Sequence, residues 1–229
     1  LTINSSVTLT GKTSGGDAST DSGGTTVVNG VIDVHGGGSM ADAGTVDIES
    51  GFALGDVQGA LSVKKNVIAT SGSNNSGFGS LFFTGCTLTV DSSVKVDGTG
   101  GTALRCAGGT RNGFFCSSAS ECPGGACANQ NGGSVVEFAA VGTMQLSSGS
   151  QYVAPPSGSI ILTHPPGKIP QKTGAIFNPA ATDHPLALGF GTYPECPVCG
   201  DNIRQLGEVC DNGAAADGAC CNSTSTAFV

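Results

Sequence analysis

A short phrase recurs along the chain: a glycine, a small hydroxyl residue, then an apolar-rich run. It reads Gly24-Thr25-Thr26-Val27-Val28, Gly44-Thr45-Val46-Asp47-Ile48, Gly79-Ser80-Leu81-Phe82-Phe83, Gly133-Ser134-Val135-Val136-Glu137 and Gly158-Ser159-Ile160-Ile161-Leu162. A cysteine-rich interruption at 105–131 and a polar run from Ser71 to Ser76 stretch two of the intervals. With these set aside the period is about 20–27 residues, the range in which stacked-rung architectures live.

Within each period apolar and polar residues alternate. Leu88, Val90, Val94 and Val96 are separated by Thr87, Thr89, Asp91, Lys95 and Asp97. Alternate residues of a strand point to opposite faces, so one face is apolar and the other wet. Glycine fills 38 of 229 positions and charged residues only 11%. That composition argues against helices, whose interiors glycine penalises, and against a charged disordered chain. The connections are too short for crossover helices. An all-β fold is expected, a parallel β-helix (β-solenoid), with an antiparallel β-sandwich as the competitor. Val46, Ile48, Leu61, Val63, Leu81, Phe83, Leu88, Val90, Val94 and Val96 are its expected inward rows. Three regions follow from composition: a β-solenoid over 1–166 carrying the insertion 105–131, an extended Pro/Ala-rich connector over 167–194, and a small cysteine-rich module over 195–229.

The ten cysteines fall in clusters: Cys86 alone, then Cys106, Cys116, Cys122 and Cys127, then Cys196, Cys199, Cys210, Cys220 and Cys221. Turn residues surround them and no histidine lies in the middle cluster, so disulfides in an oxidising compartment are expected for all ten, not a metal knuckle. Cys196-Pro-Val-Cys199 is followed by Gly200, which excludes haem attachment, and it lacks the βαβ setting of a redox pair.

Two segments resemble known families. Gly85-Cys86-Thr87-Leu88-Thr89-Val90-Asp91-Ser92-Ser93-Val94-Lys95-Val96-Asp97-Gly98 resembles the rungs of large secreted β-helix proteins of delta-proteobacteria. Cys199-Gly200-Asp201-Asn202-Ile203-Arg204-Gln205-Leu206-Gly207-Glu208-Val209-Cys210-Asp211-Asn212-Gly213 resembles the myxobacterial-type cysteine-rich repeat of surface proteins. With Cys220-Cys221 it is also similar to the start of a disintegrin-like module. The family pattern places a further cysteine about where Ser225 stands, which leaves the second module odd and implies a link out of it. The resemblance implies an exported, cell-surface or extracellular structural protein and no reaction.

The remaining chemistry is sparse. Asp33, Asp47, Asp91 and Asp97 read as isolated outward groups, Lys64, Lys65 and Arg105 lack acidic neighbours in sequence, and His35, His164 and His184 are scattered. Solvated strand faces account for them; no catalytic residue, cofactor or metal site is expected, and the chain reads as no enzyme. Glu208, Asp211, Asn212 and Asp217 offer oxygen ligands for calcium without the EF-hand spacing. Asn4, Asn74 and Asn222 begin glycosylation sequons. A net charge of −8 without a basic stripe makes nucleic acid a poor partner, and no apolar run is long enough to span a bilayer.

The chain opens at Leu1 rather than Met, as a processed product or a piece of something longer would. Leu1-Thr2-Ile3 enters strand pattern directly, with no amphipathic helix ahead of it to cap a stack. The expected function is therefore a subunit of a surface fibre, filament or adhesin. Its first partner is another copy of itself, stacked head to tail, and surface polysaccharide is a further one. A polysaccharide-active β-helix enzyme (lyase or glycosidase) and a cysteine-rich partner-binding module are the alternatives.

Overall fold

In a computed structural model, residues 1–11, 15–22, 24–38, 41–50, 52–53, 56–57, 59–72, 79–99, 104–110, 119–129, 134–155 and 158–185 are described. This part of the chain is all-β, with strands in parallel sheets and a single 3-10 turn at Ala119–Glu121.

Three sheets carry the structure. The first is built from Thr2–Ile3, Thr26–Val28, Ala60–Val63, Thr87–Val90 and Met144–Leu146. Val7–Thr8, Ile32–Asp33, Val67–Ile68, Lys95–Asp97, Gln151–Val153 and Ile176–Asn178 make the second. The third contains Ala18–Ser22, Thr45–Ser50, Ser80–Gly85, Val135–Ala140, Ser159–His164 and Thr182–Pro185. Within each sheet the spatial order follows the sequence order and every neighbouring pair is parallel. The chain thus visits the first, second and third sheet in turn and repeats, each pass laying one strand beside the last.

Parallel pairing in register aligns chemically like positions into rows. Ile32, Val67, Val96 and Tyr152 form one inward row of the second sheet. Ile48, Phe83, Phe138 and Leu162 form one of the third. All ten residues expected inside are buried, at 1% exposure or less. Burying each such side chain contributes about 1.5–3 kcal/mol, enough to hold short strands that could not stand alone. Aromatic rings continue the rows: Phe83 stacks on Phe138 (4.7 Å between centroids), Phe138 meets Tyr152 edge-on at 5.1 Å, and Tyr152 stacks on Phe177 at 4.9 Å.

The recurring glycine has a steric cause at the corner that enters the third sheet. A Cβ on Gly44 would collide with the carbonyl of Gly16, and one on Gly158 would lie 2.6 Å from the Ser134 carbonyl. Gly24 differs, because it precedes a first-sheet strand and a Cβ there meets nothing within 4 Å. Buried hydroxyls stitch the corners. Ser50 Oγ donates to the Gly24 carbonyl (2.6 Å) or the Ala60 carbonyl (2.9 Å) and accepts the Thr26 N–H at 3.0 Å.

Two antiparallel hairpins leave this frame. Phe52–Ala53 pairs with Asp56–Val57. Leu104–Gly108 pairs with Gly125–Asn129 between the fourth strands of the second and third sheets. Its far end turns through Gly108, Gly109 and Gly124, whose φ of 79°, 71° and 75° suit only glycine.

The stretch read as a connector, 167–194, adds strands to the sheets. Ile176–Asn178 extends the second sheet and Thr182–Pro185 the third, while 186–194 lie outside the described residues. Ala175, Phe177 and Ala181 alternate and pack on the core, which outweighs the prolines around them. Pro170, Pro179 and Pro185 fall at bends or on the last edge, where a missing N–H removes no ladder bond.

Candidate functional site

The first pass is where the sheets present an uncovered apolar surface. Ile3, Val7 and Ala18 occupy inward positions of its strands, yet each is only partly buried because no further strand of the described residues lies beyond them. Leu1 is 54% and Leu9 37% exposed. Between them opens a cavity of about 240 Å³, lined by Ile3, Val7, Leu9, Ala18, Ile32 and Ile48. The Thr20 hydroxyl, at the cavity wall, is buried without a hydrogen-bond partner. An unpaired sheet edge over an apolar floor is a template for another strand edge.

The last pass is built differently. Lys172 follows Leu146 in the first sheet's inward register, next to the Gln145–Gln171 bridge, and Asp183 follows Leu162 in the third. The Lys172 ammonium donates to both carboxylate oxygens of Asp183, at 2.7 and 2.6 Å, spanning the end of the core. The last described pass therefore finishes on a polar pair.

Charge divides along the same axis. From Leu1 to Ser50 the chain carries Asp17, Asp21, Asp33, Asp42, Asp47 and Glu49 against Lys12 and His35. From Met144 to Pro185 it carries Lys168, Lys172, His164 and His184 against Asp183. The acidic group is not scattered as the sequence suggested. Asp21 pairs in register with Glu49, and Asp47 sits two residues before Glu49 on the same outer face. Burial raises the Asp47 carboxyl above its usual range; burial, with the nearby Asp47 and Asp21 charges, raises Glu49. Periodicity of two, applied to both strands at once, was the signal that could have grouped them.

The other expected positions are accounted for locally. Asp33 Oδ1 lies 2.6 Å from His35 Nδ1. Asp97 is buried, its carboxylate held by Lys95 Nζ at 2.6 Å and the Thr99 hydroxyl at 2.7 Å. Lys64 and Lys65 are exposed. His164 is buried, with Nδ1 2.9 Å from the Pro165 carbonyl oxygen. Among the described residues no group of His, Cys, Asp and Glu is placed to hold a metal ion. No described helix is long and apolar enough to cross a membrane.

Of the cysteines, Cys106 and Cys122 are joined, closing the inserted hairpin. Cys86 and Cys127 are disulfide-bonded as well. Cys116, Cys196, Cys199, Cys210, Cys220 and Cys221 lie outside the described residues, as do Glu208, Asp211, Asn212 and Asp217. A second, wider hollow of about 590 Å³ lies by the last strand of the first sheet, lined chiefly by Gln145, Ser147, Ser148, Ile169, Gln171 and Lys172. Its amides and hydroxyls suit a neutral hydroxylated ligand. Comparison of the chain with protein-family models, with curated proteins and with solved structures found no match.

Proposed function

We propose that the chain is an extracellular structural protein, a parallel β-helix subunit that stacks head to tail in a surface fibre or adhesin. The observation that carries this reading is the complementarity of the two ends. Among the described residues the first pass is apolar, open and acidic, and the last is closed by Lys172 and Asp183 and carries Lys168 and Lys172 against the single acid Asp183. Contact between unlike ends repeats without closing, which makes a filament and not a ring or dimer. Attraction between an acidic and a basic end sets the direction of stacking.

The cysteines support an extracellular setting. A disulfide such as Cys106–Cys122 persists where thiols are oxidised, outside the cytosol. Surface polysaccharide fits as a further partner at the hollow beside Gln145 and Gln171.

Sedimentation velocity over a concentration series, with negative-stain imaging of the same samples, tests the reading. Growing polymers of single-subunit width are expected, and deletion of Leu1 to Thr10 should abolish them while the later strands stay folded. A monodisperse monomer at high concentration would overturn it. The enzyme reading has one observation in its favour, the carboxylates of Asp21, Asp47 and Glu49 on one outer face. Release of reducing ends or unsaturated sugars from acidic and neutral glycans, lost in Glu49→Gln, would favour it instead.

A further inference from the structure

Resting on the head-to-tail reading, the register of the sheets specifies the junction row by row. On the third sheet one inward row runs Thr20, Ile48, Phe83, Phe138, Leu162, Asp183. The adjoining outward row runs Asp21, Glu49, Thr84, Ala139, Thr163, His184. Each row thus begins and ends on side chains that suit one another. Thr20 opens its row with a hydroxyl that is buried and has no hydrogen-bond partner; Asp183 closes the row with a carboxylate, an acceptor with lone pairs beyond the two Lys172 contacts. In the other row an acidic residue stands at the start and a histidine at the finish. On the second sheet Val7 opens the row that Phe177 closes, apolar against apolar.

We propose that the last pass of one copy docks in register on the first pass of the next, so that Asp183 accepts a hydrogen bond from the Thr20 hydroxyl and His184 lies against Asp21. Phe177 then covers Val7 and the apolar cavity beside it. The junction continues the second and third sheets without a change of strand spacing. It also sets an imidazole against the carboxylates of Asp21, Asp47 and Glu49.

The placement is tested by association constants from sedimentation equilibrium, read beside melting curves of dilute monomer. Thr20→Val keeps the side-chain shape and removes a hydroxyl that is unpaired in the monomer. The monomer's melting temperature should hold or rise, while association weakens about tenfold or more, the loss expected for a hydrogen bond to a charged acceptor. A hydroxyl with only a structural role would not split the two readouts in this way. Asp21→Lys and His184→Asp should each weaken association, and the two substitutions together should restore it to within a few-fold. Polymers of wild-type affinity in Thr20→Val and Asp21→Lys would overturn the register while leaving the filament standing. So would failure of the exchanged pair to restore association. A wild-type chain that stays monomeric throughout would overturn both.

Discussion

The first and fourth passes are written in the same residues but end in different states. Leu88, Val90 and Val96 in the fourth are at most 1% exposed, whereas Ile3, Val7 and Leu9 in the first remain partly open to solvent. Alternation and branching do not separate them, although the strands of the first pass are shorter, at 2, 2 and 5 residues against 4, 3 and 6. Among the described residues the neighbours differ as well: the fourth pass lies between two others, and no described strand lies beyond the first. In a protein whose passes touch only their neighbours, burial belongs to a position in the stack and not to a strand's own sequence.

The comparison breaks first if a central residue proves dispensable. Phe138 lies between Phe83 and Leu162 in its row and touches the rings of Phe83 and Tyr152. Phe138→Ala should cost about 3–5 kcal/mol through lost burial and the cavity left behind, and Leu88→Ala about 2–5 kcal/mol. Val7→Ala, an equal offence against the pattern, should cost the monomer under about 1 kcal/mol because its side chain is half-open already. Chemical denaturation of the three variants checks the order. Similar losses for Val7→Ala and Leu88→Ala would mean that the first pass is already covered.

Tyr152 sharpens the same contrast from the titration side. Burial pushes its phenol well above the ordinary value of 10.0, with the Ser150 side chain pulling it part of the way back. A raised acid binds its proton more tightly in the folded state. Its stabilising contribution is therefore complete below pH 10 and is lost as pH climbs from there towards the folded value. Wild-type protein should begin to lose stability above about pH 10, and Tyr152→Phe, which keeps the ring stacked on Phe177, should hold its stability further into alkali. Coincident alkaline melting curves would place Tyr152 in contact with water.

How much of this was legible beforehand depended on the range of the signal. Inward rows were readable because a period of two and a period of about 20–27 residues act together, and each inward residue carries its own apolar mark. The Gly-hydroxyl phrase was readable as a repeat but not as a corner. Gly44 and Gly158 obey a steric demand made by carbonyls in earlier strands, while Gly24 shares the spelling without the demand. The strands Ile176–Asn178 and Thr182–Pro185 were hidden by prolines, which speak against a central strand but not against an edge. The acidic face was missed because Asp21 and Glu49 are 28 residues apart and meet only through register.

A disulfide outside the stack should behave unlike any residue within it. Cys106 and Cys122 are 16 residues apart and close a hairpin that packs beside the passes as an insertion. In a chain-entropy picture a loop of that size is stabilised by about 3 kcal/mol. A Cys106→Ser and Cys122→Ser double variant should show faster amide exchange over Leu104–Gly108 and Gly125–Asn129, with the main melting transition moved by no more than about 2 °C. A collapse of the main transition would make the insertion part of the core.

The smallest effect is expected at the open end itself. Glu49 shares the outer face with Asp21 and Asp47, and the like charges together with partial burial hold its carboxyl above 4.5. A carboxyl raised on folding contributes its stability below that value and loses it as pH rises through the folded one, so at neutral pH the charged cluster works against the first two passes. Glu49→Gln removes one of the three charges and keeps the side-chain length. Because the face is solvated, the gain at pH 7 should be about 0.5 kcal/mol or less, shrinking further in high salt and in acid, where the raised Glu49 carboxyl is neutral in the wild type too. Paired denaturation curves at pH 7 and in acid read the difference directly. A destabilised Glu49→Gln at pH 7 would mean that a cation already sits on this face, and in the filament that cation would come from the next subunit.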